Sequence, residues 1–211
     1  MSIARPGKII GVGRNYVEHA AELGNTVPKQ PLLFLKPPSA VIGNGDAIVL
    51  PPESSQVEYE GEIGVVIGRR LRRASEAEAR AAIAGITCVN DVTARDLQRT
   101  EELWTRAKGF DTFCPVGPRV APVDPGRLGD LEVRCRVNGV ERQHGCTRDM
   151  VFGIATLAAY ISQVMTLEPG DLIATGTPAG VGPLHPGDVV EVEIAEVGVL
   201  RNPVVVQGRG S

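Results

Sequence analysis

Glu58-Tyr59-Glu60-Gly61-Glu62-Ile63-Gly64-Val65-Val66-Ile67-Gly68 is the stretch on which the fold turns. Three carboxylates at alternate positions run straight into an apolar, β-branched segment. Strand side chains alternate between two faces, so Glu58, Glu60 and Glu62 are expected on one face of a single strand. Next-but-one side chains lie about 7 Å apart, and two such charges repel by about 2.4 kcal/mol at an effective dielectric near 20. A solvated face would tolerate that repulsion. The Val65-Val66-Ile67 continuation is instead apolar on both faces, as in a strand covered on both sides. A cation shared by the carboxylates is therefore the expectation that the rest of the chain tests.

The chain has 211 residues, a length that fits one domain with a sizeable core. Its net charge of −3 and pI near 5.7 provide no basic field, so nucleic acid is not an expected partner. The local cluster Arg69, Arg70, Arg72 and Arg73 precedes an acidic helix start and reads as solvent-facing. Cys88, Cys114, Cys135 and Cys146 fall at no metal-ligand or CxxC spacing and are read as reduced. No signal peptide and no bilayer-length apolar run are recognised, so a cytoplasmic protein with no membrane partner is expected.

Outward from the glutamates toward the N-terminus, Lys8 to Val12 is strand-like and ends in Gly11-Val12-Gly13-Arg14-Asn15-Tyr16. Its glycines suggest a dinucleotide loop, but Tyr16 stands where that pattern needs a third glycine. Tyr16 to Leu23 is predicted as two helical turns, capped by Asn15 and stopped by Gly24, with His19 and Glu22 three apart on one face. Such a pair is more often a surface ion pair than a general-base dyad, and the residues alone leave both open. Gly13 to Pro31 has the composition of a segment able to move over a site. Leu32 to Leu35 and Ala47 to Leu50 are predicted strands.

Toward the C-terminus, Ser75-Glu76-Ala77-Glu78 is a capping box opening an alanine-rich helix to about Ala84, with Gly85 at its end. A strand over Ile86 to Val89 closes on Asn90-Asp91. Thr93 to Arg99 places Arg95 and Gln98 three apart on one helical turn, and Lys108 follows in Lys108-Gly109-Phe110-Asp111. Leu131 to Val137 alternates as a strand into the hairpin signal Asn138-Gly139. Thr147 to Met165 is the longest predicted helix, with Met150, Ile154, Leu157 and Ile161 as its apolar stripe. Strands are expected at Leu172 to Ala174, Val189 to Ile194 and Val199 to Val206. The glycine-rich Thr175 to Gly182 has amides suited to an anion but lacks the ending of a phosphate loop. His144 and His185, in polar turns, receive no functional role.

Together these segments resemble the fumarylacetoacetate hydrolase family, in its short acylpyruvate-hydrolase and oxaloacetate-decarboxylase type members. The resemblance rests on seven stretches in family order. They are Gly13-Arg14-Asn15-Tyr16 with His19 and Glu22, Leu33-Phe34-Leu35-Lys36-Pro37, Glu60-Gly61-Glu62-Ile63-Gly64-Val65-Val66, Asn90 to Gln98, Lys108-Gly109-Phe110-Asp111, Leu167 to Asp171, and Thr175-Gly176-Thr177-Pro178. It implies a mainly β, α+β fold: a mixed, largely antiparallel β-roll with peripheral helices. It also implies one catalytic domain over residues 1–211, a lid at 13–31 and a homodimer.

The resemblance further implies a divalent metal on Glu60, Glu62 and Asp91, with Lys108 beside it. Arg95, Gln98 and Thr177 are implied to contact the carboxylate end of the substrate. His19 and Glu22 match a water-activating pair, which favours the dyad reading. Glu58 lies outside the two-glutamate core of the motif and is expected behind the site or on the surface. All-oxygen donors suit Mg²⁺, with Mn²⁺ or Ca²⁺ possible, over Zn²⁺. The expected activity is metal-dependent hydrolysis of a carbon–carbon bond in acylpyruvates, small 2-oxo acids. Oxaloacetate decarboxylation, the isomerisation, decarboxylation or hydration of 2-oxo or 2-hydroxydienoic acids in aromatic catabolism, and a non-catalytic metal–dicarboxylate binding module are the alternatives.

Overall fold

The structure is a computed structural model that describes residues 5–22 and 24–208. In chain order the elements are β1 (Ile9–Gly13), α1 (Val17–Glu22), β2 (Leu32–Lys36), β3 (Val41–Ile42), β4 (Ile48–Leu50), β5 (Val57–Tyr59), β6 (Gly61–Ile67) and α2 (Glu76–Ala81). They continue through β7 (Ile83–Asn90), β8 (Thr93–Ala94), α3 (Arg95–Thr100), α4 (Thr105–Gly109), β9 (Cys114–Ala121), β10 (Glu132–Val137) and β11 (Val140–Cys146). The last are α5 (Ile154–Val164), β12 (Leu172–Ala174), β13 (Gly182–Pro183), β14 (Val189–Ile194) and β15 (Gly198–Val206).

Three sheets result: β2-β1-β12-β6-β7-β9-β3, β11-β10-β14-β15-β4, and β13-β5-β8. Most pairs are antiparallel, while β1 with β12, β3 with β9 and β4 with β15 are parallel. The architecture is thus mainly β, mixed and curled, with few helices, as expected from the sequence. The β6–β7 pair is central. Ile63, Val65 and Ile67 enter the larger core with Ile86, Cys135, Val192 and Leu200. Val66, on the opposite face, packs on Ile9, Val89 and Leu172. Both faces of β6 are therefore covered, which explains the unbroken apolar run.

The glutamate stretch is not one strand. It breaks at Glu60, where the chain leaves the three-stranded sheet and enters the seven-stranded one. The two segments still present their carboxylates to a common side, because Glu58 and Glu60 bind the same guanidinium.

Two helices are shorter than predicted. The capping box at Ser75 and Glu78 is present, yet α2 stops at Ala81. Ile83 already pairs with Ile67, and Gly85 pairs with Val66. Strand pairing overrides the alanine propensity, and Gly85 serves a strand: a Cβ there would sit 2.2 Å from the Ala121 carbonyl oxygen. Residues 147–149 form a 3₁₀ turn, and α5 begins only at Ile154. Tyr16 bridges Met150, and the Val151 and Phe152 amides donate to the Asn15 carbonyl and side-chain oxygens, holding the chain extended ahead of Gly153.

Asn15 is therefore a cross-link rather than the predicted N-cap of α1. Its Nδ2 also donates to the Phe152 and Thr175 carbonyls. At the other end of α1, the Gly24 amide donates to Ala21 and the Asn25 amide to Ala20, with Gly24 at φ +68. This is the Schellman pattern that Gly24 favours. Leu23, included in the predicted helix, lies outside the described residues. The Asn138-Gly139 hairpin forms as predicted, both residues at positive φ.

Candidate metal centre and substrate cavity

Strand register assembles the acidic cluster. Gly61 pairs with Asn90 and Glu62 with Val89, so Asp91, just past the end of β7, arrives beside Glu60 and donates its amide to the Glu60 carbonyl at 2.8 Å. One carboxylate oxygen from each of Glu60, Glu62 and Asp91 lies within 4.8 Å of the others, all three buried. At that separation each pair of charges repels by about 3.5 kcal/mol at an effective dielectric of 20.

Cations offset part of this. Lys108 Nζ donates to Glu60 Oε2 at 2.7 Å and Asp91 Oδ2 at 2.5 Å. Lys36 Nζ reaches Asp91 Oδ1 at 2.6 Å and the Val92 carbonyl at 3.2 Å. Arg95 donates to Glu58 Oε2 at 2.7 Å, Glu60 Oε1 at 2.6 Å and the Gln98 side-chain oxygen. Four buried carboxylates thus face three buried cations.

Glu62 is the carboxylate left over. It accepts one bond, from the Gly176 amide at 2.9 Å. Burial, reinforced by the charges of Asp91 and Glu60, pushes its carboxyl well above the usual range. Burial also works against ionised Glu60, but Lys108 and Arg95 outweigh it and hold that carboxyl below the usual range. Burial opposes the charge on Lys108, and Asp91 and Glu60 overcome it, so its ammonium is retained. An all-oxygen triad with one uncompensated charge, in a site short of one cation, fits a hard divalent metal. Bound there, a dication would turn the cluster net positive and receptive to an anionic ligand.

A cavity of about 430 Å³ opens over this cluster. All nine residues singled out from the sequence line it: Glu60, Glu62, Asp91, Lys108, Arg95, Gln98, Thr177, His19 and Glu22. His19 Nδ1 lies 3.3 Å from Glu22 Oε2, and the Gly180 amide donates to both Glu22 oxygens. The glycine-rich loop after β12 does receive anions, but they are the protein's own Glu62 and Glu22. The Thr177 hydroxyl donates to the Gly61 carbonyl at 2.9 Å and accepts from Gln143 Nε2 at 2.7 Å. His144 and His185 lie outside this cavity, exposed beside Glu132 and Asp188.

Several contributors were assigned no role from sequence. Lys36 ends an apolar strand, and its signal is its alternation with Phe34, which also faces the site. The Phe34 ring lies 4.9 Å under Lys108 Nζ and meets Trp104 edge-on at 5.4 Å between centroids. The glycines that mimic a dinucleotide loop make room for these rings: a Cβ on Gly11 would lie 2.1 Å from Phe34, and one on Gly13 would lie 2.8 Å from Trp104. Glu58, expected behind the site or on the surface, is buried and bonded to Arg95. Arg14 lines the cavity with its backbone at φ +57.

Residues 8–205 match the fumarylacetoacetate (FAA) hydrolase C-terminal family. An uncharacterized protein of Archaeoglobus fulgidus is 54% identical over 201 residues, which cover 95% of this chain and 79% of that protein. The human mitochondrial oxaloacetate tautomerase FAHD2A is 44% identical over 213 residues, covering 96% of this chain and 68% of its own length. Among solved structures, 5-carboxymethyl-2-hydroxymuconate delta-isomerase from Mycobacterium smegmatis superposes with a TM-score of 0.89 at 46% identity, over 97% of this chain and 81% of that one.

Proposed function

The chain belongs to the fumarylacetoacetate (FAA) hydrolase C-terminal family, and from that membership we propose a divalent-cation-dependent enzyme that moves protons between the keto and enol forms of a 2-oxo acid. The observation that carries this reading is convergence: the acidic triad, the Lys108 ammonium and the His19–Glu22 pair line one cavity. The tautomerase and isomerase names of relatives at 44–46% identity favour proton transfer over hydrolysis.

Glu60, Glu62 and Asp91 would hold a divalent cation, which would supply Lewis-acid stabilisation of the negative charge that develops on a 2-oxo acid. The side chains do the rest. Glu22, fixed by the Gly180 amide, holds the His19 ring through Nδ1, and Nε2 acts as the base. His19 removes the proton from C3, the C–H electron pair forms the C2–C3 double bond, and the keto oxygen gains the charge. Lys108 donates a hydrogen bond to that oxygen. Returning the proton to oxygen completes tautomerisation; returning it to a carbon farther along a conjugated chain completes isomerisation.

The 3.3 Å contact of His19 with Glu22 also favours a second reading, hydrolysis of an acylpyruvate. There His19 takes a proton from water, the hydroxide adds to the distal carbonyl, and the C3–C4 bond breaks. Its electron pair goes to the pyruvate enolate, which is then protonated, and the acyl group leaves as a carboxylic acid. Loss of CO2 from oxaloacetate would give the same enolate without water.

An ultraviolet assay on enol oxaloacetate, a 2-hydroxydienoic diacid and an acylpyruvate, with Mg²⁺ and then excess EDTA, separates these outcomes. Cation-dependent change on any of them supports the reading, and the substrate that reacts fastest selects the branch. No change on any would favour a binding module. His19→Ala should lower hydrolysis far more than decarboxylation; equal losses would remove the water-activating role.

A further inference from the structure

Arg95 commits its whole guanidinium to the protein. Nε donates to Glu58 Oε2 at 2.7 Å, Nη2 to Glu60 Oε1 at 2.6 Å, and Nη1 to the Gln98 side-chain oxygen. Glu60 and Gln98 line the cavity, but Glu58 does not. It is 5% exposed and stands behind the guanidinium, out of reach of a ligand in the cavity.

The place of Glu58 is built by strand pairing. Val57 lies opposite Ala94 and Glu58 opposite Thr93, so Arg95 opens α3 beside Glu58. The Arg95 amide donates to the Gln56 carbonyl at 2.7 Å, and Gln56 Nε2 donates to Glu58 Oε1 at 2.6 Å. Arg99, at the exposed rim, donates to the Gln56 side-chain oxygen at 3.1 Å. A chain of polar contacts thus runs from the surface through Gln56, Glu58 and Arg95 to Glu60. The small sheet β13-β5-β8 carries it, and the break at Glu60 hands it to the large sheet that positions Glu62 and Asp91.

Charge decides what this chain of contacts does. Glu60 has both oxygens claimed, Oε1 by Arg95 and Oε2 by Lys108. A guanidinium facing Glu60 alone would neutralise that carboxylate and weaken its pull on a cation. Glu58 shares the guanidinium and takes up its charge, while Arg95 still fixes the orientation of Glu60.

We propose that Glu58 is a positioning residue that sets the divalent-cation affinity of the centre through Arg95. This goes beyond the function proposed above and rests on its cation site. Without the charge of Glu58, three buried carboxylates of the cluster would face three buried cations, and the excess negative charge that draws in a dication would be gone.

The test is calorimetric titration of the full chain with Mg²⁺ alone, on the wild type and three variants. Glu58→Gln keeps the shape and one acceptor oxygen for Arg95 while removing the charge, and is expected to raise the Kd for Mg²⁺ by about tenfold or more. Glu58→Asp keeps the charge on a shorter side chain and is expected to bind Mg²⁺ more tightly than Glu58→Gln. Gln56→Leu, half-buried and outside the cavity, loses the bond that steadies Glu58 and is expected to weaken binding by about threefold. Thermal melts of the cation-free proteins verify that each is folded; a merely structural Glu58 would lower the melting temperature and leave the Kd unmoved. An unchanged Kd in Glu58→Gln, or weaker binding by Glu58→Asp than by Glu58→Gln, overturns the assignment of Glu58 alone. Where Glu58→Gln does not fold, Gln56→Leu decides, and an unchanged Kd there overturns the assignment. Absence of Mg²⁺ binding in the wild type overturns the cation site itself and the underlying function with it.

Discussion

At the scale of single residues, Glu62 sets the pH behaviour of the centre. Its carboxyl is raised by burial and by Asp91 and Glu60, so the cation-free folded protein keeps a proton that the unfolded chain releases near the ordinary value of 4.5. The folded state then binds more protons than the unfolded one. Its contribution to stability therefore falls as pH rises from about 4.5 through the higher folded-state value. Cation binding runs the other way, because the ligand is the carboxylate: affinity should rise with pH, and Mg²⁺ should displace a proton. Calorimetric titrations in two buffers of different ionisation enthalpy check this; identical apparent enthalpies would contradict it.

Glu60→Gln should weaken Mg²⁺ binding by at least about tenfold to a hundredfold. It should also lower the melting temperature of the cation-free protein, since Arg95 and Lys108 each lose a buried partner. The charge role of Glu60 and Glu62 was legible because alternate carboxylates entering a dry strand demand a counter-charge. Glu58 was left between a place behind the site and the surface; an arginine 37 residues away in sequence, placed by strand pairing, holds it behind the site. Lys36 was assigned no role, since a lysine at the end of an apolar strand usually reaches water, and its alternation with Phe34 is the one sign against that.

At the scale of elements, the predicted helices that ran long did so for a common reason. Residues after Ala81 and before Ile154 are helix-compatible by local propensity, but distant partners claim their amides first: β6 for the one, Asn15 for the other. Local periodicity cannot report such competition. Capping chemistry could be read directly, as at Ser75 and Gly24, because its partners lie within a few residues.

Two substitutions probe these joints by denaturant unfolding. Gly85→Ala places a methyl against the Ala121 carbonyl across the β7–β9 pairing and should destabilise by about 1–3 kcal/mol. Asn15→Ala removes three side-chain hydrogen bonds, one buried and two part-buried, and leaves the Phe152 amide without its acceptor, for a loss of about 2–4 kcal/mol. A change below about 0.5 kcal/mol in either would contradict the packing described here.

At the scale of the whole molecule, the folding pattern and the site have one origin. Pairing β6 with β7 completes the middle of the large sheet and also brings Asp91 to Glu60 and Glu62, so the core enforces the repulsion that a cation relieves. The mainly β class and its sequence of motifs were readable in the chain. The division into three sheets was not, because no local signal marks the break at Glu60. Among the described residues no helix is long and apolar enough to cross a membrane.

A ligand that binds only the folded state raises stability by mass action, by about 2.7 kcal/mol at a hundred times its dissociation constant. Saturating Mg²⁺ should therefore raise the melting temperature of the wild-type protein and leave Glu60→Ala nearly unmoved. The most direct test of the central claim is the ultraviolet-monitored turnover of enol oxaloacetate by wild-type protein and Glu60→Ala, each with Mg²⁺ and again with excess EDTA. The account predicts fast ketonisation by the wild type with Mg²⁺, reduced to the uncatalysed rate by EDTA or by the substitution. Catalysis that survives both EDTA and the loss of Glu60 would contradict it.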